Sequence, residues 1–181
     1  MSLKELTAES HKAAEKTPFM KAVFAKEMPK EVWTYWTFNK MHWYNAIEVR
    51  ARDAGLLDDV IGLERTYKLY QDFQELAEGK DKTYTASVFT ERYCDYIMSL
   101  EDNDAIMAHL YVWHMGDLHG GQMIKKMLPD VPHRNLEFNN LPEIIAKIRG
   151  KLHDGMAKEA NIAFEWAIIL MNQFVIENAN E

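Results

Sequence analysis

The chain has one cysteine, Cys94, among 181 residues. That excludes an internal disulfide and any zinc or iron–sulfur site built from cysteines, and it fits a reducing compartment. No run of about 18 apolar residues occurs, so no spanning helix is expected. The opening residues, Met1-Ser2-Leu3-Lys4-Glu5-Leu6, lack the apolar core of a signal peptide. The closing residues, Ile176 to Glu181, are too polar for a membrane anchor. A soluble, cytoplasmic protein is expected. Positive charge is also scarce: 21 Lys and Arg stand against 28 Asp and Glu, a formal net charge of −7. That balance argues against a nucleic-acid partner and leaves small-molecule chemistry open. Alternating strand patterns with hairpin turns are missing, as are internal repeats.

What is present is helical periodicity, in a chain that is 48% hydrophobic and long enough for one packed domain over residues 1–181. The pattern predicts an all-α fold of eight helices: Leu3 to Lys16, Phe19 to Lys26, Lys30 to Ala54, Ile61 to Ala77, Thr85 to Ser99, Asp102 or Asn103 to Leu128, Glu143 to Leu152 and Gly155 to Ile176. Gly55 is placed to stop the third. Prolines 18, 29, 129, 132 and 142 fall at the breaks.

Of the seven histidines (11, 42, 109, 114, 119, 133 and 153), none forms an HExxH pair, and the Glu-x-x-His motifs of a di-iron bundle are missing. His11 is the most suggestive, because Glu15 follows at i+4 on the same helix face. A carboxylate there can orient an imidazole and leave its other nitrogen for a metal; the same spacing equally describes an ordinary exposed pair. The segment Gly116-Asp117-Leu118-His119-Gly120-Gly121-Gln122 places three glycines inside a predicted helix. Each glycine costs roughly 0.5–1 kcal/mol there relative to alanine. Gly116 and Gly120 share a face, with Gly121 beside them, and bare a strip against which a flat ligand or another helix can lie. Asp117 stands next to that strip.

His11-Lys12-Ala13-Ala14-Glu15 with Phe19-Met20 resembles the proximal-helix motif of haem oxygenases, and Gly116 to Gln122 resembles their distal-helix motif Gly-Asp-Leu-Ser-Gly-Gly-Gln. Asn161-Ile162-Ala163-Phe164 extends the resemblance towards the last helix. The resemblance implies a single helical domain holding haem between the first helix and a kinked distal helix. Haem would be cofactor and substrate at once, opened with molecular oxygen to biliverdin (IX alpha by family default), iron and carbon monoxide. His11 would be the iron ligand and Glu15 its partner. Gly116, Gly120 and Gly121 would let the distal helix bend over the haem face. Asp117 would organise water there, joined by Tyr44. Met20, Tyr111 and Phe164 would line the pocket, and Lys4, with Lys147, Arg149 or Lys151, would meet the propionates. Electrons would come from a partner, ferredoxin or else a flavoprotein reductase, docking near Lys4 and the 147–151 basic cluster.

Three departures from the family pattern stand out. His119 replaces the usual serine and is either a second axial ligand or a polar rim residue. Trp113 and His114 replace an arginine and a tyrosine, so the arginine's share of the distal network is missing or rebuilt. Ala167 replaces a common asparagine, and the region between Pro142 and Asn161 is short. Two other readings stay open: a haem carrier or sensor ligated by His11 and His119, and a thiaminase-like hydrolase with Cys94 as nucleophile.

Overall fold

Helix α4 (Lys30–Asp53) is the axis of the fold. Trp33, Trp36, Thr37, Lys40, Trp43, Tyr44, Ile47 and Ala51 recur at three- and four-residue spacing on it and are all buried, the register of an inward helix face. Pro29 precedes the helix in extended backbone, and Gly55, at φ +72°, follows it in the left-handed conformation that a side chain would resist. The computed structural model describes residues 1–174, and every regular element among them is helical. Around α4 stand α1 (Leu3–Leu6), α2 (Ala8–Glu15), α3 (Pro18–Phe24), α5 (Thr66–Ala77), α6 (Val88–Met98), α7 (Asn103–Leu110), α8 (Gly116–Met127), α9 (Leu141–Arg149) and α10 (Ala157–Asn172). A π turn, Tyr111–Met115, joins α7 to α8, and 3₁₀ turns cover Arg134–Leu136 and Asp154–Met156. Helices α5, α6 and α7 pack along α4, while α10 packs on α2 and α7. No helix among the described residues is long and apolar enough to cross a membrane.

The elements differ from the predicted ones where a side chain or a glycine intervenes. The first helix is broken at Thr7, whose backbone leaves helical values (φ −111°, ψ 2°) while its hydroxyl donates to the Leu3 carbonyl at 2.9 Å. The helix predicted from Ile61 starts only at Thr66, because Gly62 takes φ +90° and the Arg65 guanidinium gathers the carbonyls of Gly62, Leu63 and Glu137. Helix α6 starts at Val88, where Ser87 accepts the Thr90 N–H at 3.1 Å. Helix α9 starts at Leu141, ahead of the predicted Glu143, with Pro142 in its first turn where a missing N–H costs nothing. The start predicted at Gly155 is a 3₁₀ turn, and the predicted end at Ile176 lies outside the described residues.

Glu48, on α4, caps α5 from a distance. Its buried carboxylate accepts the backbone N–H groups of Arg65 and Thr66, the Thr66 hydroxyl and His114 Nε2. Burial pushes the Glu48 pKa up, but the bonds from His114, Thr66 and Arg65 outweigh it and hold the group below its ordinary value. A lowered folded pKa gives stability that is complete above the unfolded value and is lost as pH falls through the folded one. Glu48→Gln is therefore expected to cost about 2 kcal/mol at neutral pH and to weaken the loss of stability on acidification. Urea unfolding at neutral and acidic pH checks both.

Candidate active site

A cavity of about 480 Å³ opens between α2, α3, α4, α8 and α10, within the roughly 300–1,000 Å³ typical of small-molecule sites. Each helix presents one periodic stripe to it: His11, Ala14 and Glu15 from α2; Trp33, Trp36, Thr37 and Lys40 from α4; Gly116, His119, Gly120 and Met123 from α8; Phe164, Ala167 and Met171 from α10. Phe19, Met20 and Phe24 of α3 close one side. The wall is largely apolar, and its polar groups are few and grouped.

On α2, the His11 side chain is 59% exposed at the cavity edge, and its Nε2 lies 3.6 Å from Glu15 Oε1. That is ion-pair range but too long for the predicted hydrogen bond. Phe164 meets the imidazole edge-on at 5.8 Å.

Across the cavity, Asp117 is buried at the start of α8 and held from two sides. Lys40 Nζ donates to its Oδ1 at 3.1 Å, and the Tyr44 hydroxyl donates to its Oδ2 at 2.5 Å. Burial first, and then the Asp117 charge and hydrogen bond, raise the Tyr44 pKa well above that of free tyrosine, so the proton stays on the phenol. Tyr44 is fully buried and reaches the cavity only through Asp117. Lys40 also donates to Asn135 Oδ1 at 3.3 Å, and Asn135 is fixed in turn by Asp72. An ammonium has three N–H groups, which leaves one for the cavity that Lys40 lines. Sequence reasoning missed Lys40. The available signal was its register: with Glu48, it is one of two charged residues on the inward stripe 33, 36, 40, 44, 48 of an aromatic helix.

His119 faces the cavity on α8. Burial lowers its pKa, and the charges of Arg149 and Lys4 add to the effect. Lys147 is bound to Glu143 at 3.0 Å and Lys151 to Asp59 at 2.7 Å, and neither lines the cavity. Lys4 and Arg149 do not line the cavity either. Tyr111, predicted to line the pocket, points away in the π turn, and Val112 and Trp113 take its place. An inserted residue in a π turn shifts the register of the helix beyond it.

The glycines divide. Gly116, Gly120 and Gly121 all keep negative φ inside α8, and the π turn Tyr111–Met115 directly precedes them. A Cβ at Gly116 or Gly120 would meet nothing within 4 Å, whereas one at Gly121 would stand 3.2 Å from Leu136 Cδ2. Gly121 packs on Leu136 and does not face the cavity. Gly116→Ala and Gly120→Ala should each raise stability by about 0.5–1 kcal/mol while weakening ligand binding. Gly121→Ala should destabilise by about 1 kcal/mol net. Thermal melts with and without ligand separate the cases.

Cys94 lies on α6 away from the cavity, and burial pushes its thiol up to about 11. That removes the support for a cysteine hydrolase. Among the described residues no three His, Cys, Asp or Glu side chains cluster as a metal site.

The site is thus an apolar slot between the helices of an all-helical scaffold, lined by two histidines, His11 and His119. The family model described as Heme oxygenase matches residues 1–151, and the chain belongs to that family. Heme oxygenase 2 of rabbit, Oryctolagus cuniculus, is 30% identical over 134 residues, covering 69% of this chain and 43% of that protein. Heme oxygenase of Rhodella violacea is 26% identical over 136 residues, covering 70% of this chain and 57% of that protein. The matches thus take in about half of those relatives' length. Among solved structures, heme oxygenase-1 of the cyanobacterium Synechocystis in complex with heme superposes with a TM-score of 0.80 at 24% identity, covering 94% of this chain and 89% of the other. Heme oxygenase from Leptospira interrogans gives 0.82 at 22%, covering 96% and 100%. At those identities the superpositions speak for the fold.

Proposed function

We propose that this protein binds haem in the cavity and opens it with molecular oxygen to biliverdin, iron and carbon monoxide. The observation that carries the reading is the opposition of His11 on α2 to the Gly116, Gly120 and Asp117 face of α8 across one apolar slot. The residues fit the group. A flat apolar disc needs clearance, which open space at Gly116 and Gly120 provides. It needs an axial nitrogen, which the exposed His11 offers without a hydrogen bond to give up. Its carboxylates need cations, and Lys4 and Arg149, whose charges add to the lowering of the His119 pKa, are assigned to them.

Bound haem would supply the iron that takes up oxygen and the ring that is cleaved. His11 would hold that iron and Glu15 would steer the imidazole. Asp117, fixed by Tyr44 and Lys40, would order water at the distal face. Lys40 would hold a proton at Nζ, with its remaining N–H towards that water. Lys4 and Arg149 would set the rotation of the disc, and cleavage is assigned to the alpha meso edge. The chain has no flavin or nicotinamide motif, and ferredoxin is the proposed electron donor, with a flavoprotein reductase as alternative.

Titration of the protein with haem tests the reading. A stoichiometric complex with one histidine ligand that is lost in His11→Ala supports it. A bis-histidine complex that persists under oxygen and reductant, and that His119→Ala converts to a single-histidine one, identifies a carrier instead. No saturable binding contradicts both.

A further inference from the structure

Behind the cavity wall runs a line of buried polar groups that haem cleavage does not use. Trp113 lines the cavity and donates its indole N–H to the Tyr93 hydroxyl oxygen at 2.9 Å. An indole nitrogen only donates, so Tyr93 accepts there and directs its own proton along its other bond, 2.6 Å to His109 Nδ1. Nδ1 is then the bare nitrogen, and the Nε2–H of His109 donates to Glu159 Oε1 at 2.9 Å. Tyr96 donates to the same oxygen at 2.5 Å. Tyr93 and His109 are fully buried, while the Glu159 side chain is 21% exposed, so the line runs from cavity wall to surface. Burial lowers the His109 pKa despite the Glu159 bond, and burial raises that of Tyr93. Both groups rest neutral.

A phenol this deep cannot lose a proton alone, because the phenolate would be left desolvated. It can lose a proton and an electron together when an acceptor is already bonded to the hydroxyl. His109 Nδ1 is that acceptor, and Glu159 holds the imidazolium that results. The aromatic contacts continue on both sides of Tyr93: its ring centroid lies 6.4 Å from Trp113 and 5.1 Å from the stacked, half-buried Trp166.

We propose that Tyr93 is a redox-active tyrosine that carries an oxidising equivalent out of the haem cavity, with Trp113 as relay and the His109–Glu159 pair as proton acceptor. The proposal rests on haem binding in the cavity. The co-reactant is hydrogen peroxide, which takes up two electrons and two protons to become two waters; bound haem would supply the site of that reduction. Each of the two electrons would come from Trp113, which takes one from Tyr93 in turn. At each step the Tyr93 proton passes to His109 Nδ1, giving a neutral tyrosyl radical and an imidazolium against the Glu159 carboxylate. A one-electron reductant such as ascorbate refills Tyr93 through Trp166, one reductant for each of the two electrons, and the proton returns from His109 each time. Oxidant that is not consumed in ring cleavage is thereby diverted from the tryptophans and methionines of the cavity wall.

The test mixes the ferric haem complex with hydrogen peroxide in the absence of reductant and reads freeze-quenched samples by electron paramagnetic resonance. A neutral tyrosyl radical is expected, narrowed by ring-deuterated tyrosine and lost in Tyr93→Phe. Glu159→Gln, at the surface end, keeps Tyr93 but removes the anion, and the radical should then decay about tenfold faster, the equivalent of one pKa unit on His109. An undiminished tyrosyl signal in Tyr93→Phe, or an unchanged decay in Glu159→Gln, overturns the proposal. A haem complex that gives no tyrosyl radical overturns it alone, whereas failure to form any haem complex overturns the reading beneath it.

Discussion

His11→Ala is expected to leave a folded protein that has lost its haem–histidine spectrum and its turnover. The fold should persist because the His11 side chain is 59% exposed and carries no hydrogen bond, so its removal opens no core cavity and leaves no orphaned donor. The ligand effect should be severe. Losing a partner one shell out from a metal costs roughly 10–100-fold, and losing the only axial nitrogen should cost more. Imidazole added to the variant should restore part of the spectrum and activity by occupying the vacated space. Full activity in His11→Ala without imidazole would show that the iron is held elsewhere, with His119 the first residue to replace next.

Asp117→Ala carries the second large effect. It should bind haem with nearly unchanged affinity, since His11 and the apolar wall are untouched, yet cleave it about 10²–10³-fold more slowly, the range for removing a positioned proton-handling group. The substitution also strips Lys40 of its nearest anion and leaves Tyr44 with only the Trp113 carbonyl, 3.0 Å away. Lys40 gives a finer readout. Lys40→Met should slow cleavage by removing the cation that holds Asp117, while Lys40→Arg should retain most of the rate. Single-turnover measurements separate these effects from binding; equal rates for Asp117→Ala and the parent protein would dissolve the distal assignment.

Much of this was legible in the sequence, and the parts that were not have physical reasons. Helical periodicity puts 11, 14 and 15 on one face and 116, 119, 120 and 123 on another whatever the rest of the fold does, so the two walls of the slot could be read locally. Lys40 could not, because its meaning depends on Asp117, 77 residues away. Gly121 is indistinguishable from Gly120 until Leu136 is seen against it. The π turn hides for another reason: Tyr-Val-Trp-His-Met is as apolar in π as in α register, and only packing shows that Trp113 lines the cavity while Tyr111 packs elsewhere on the core. The delayed start of α5 is likewise a tertiary effect, since its cap is Glu48 of another helix. The pairing of Lys147 with Glu143 and of Lys151 with Asp59 is likewise visible only in the folded chain.

The most direct measurement supplies the purified protein with haem, oxygen and electrons from ferredoxin and its reductase, then identifies the products by chromatography and carbon monoxide detection. Biliverdin IX alpha and stoichiometric carbon monoxide are expected, both abolished in His11→Ala and strongly reduced in Asp117→Ala. Intact haem recovered after oxygen and reductant are exhausted, from a protein that had bound it stoichiometrically, would contradict haem cleavage as the function of this site.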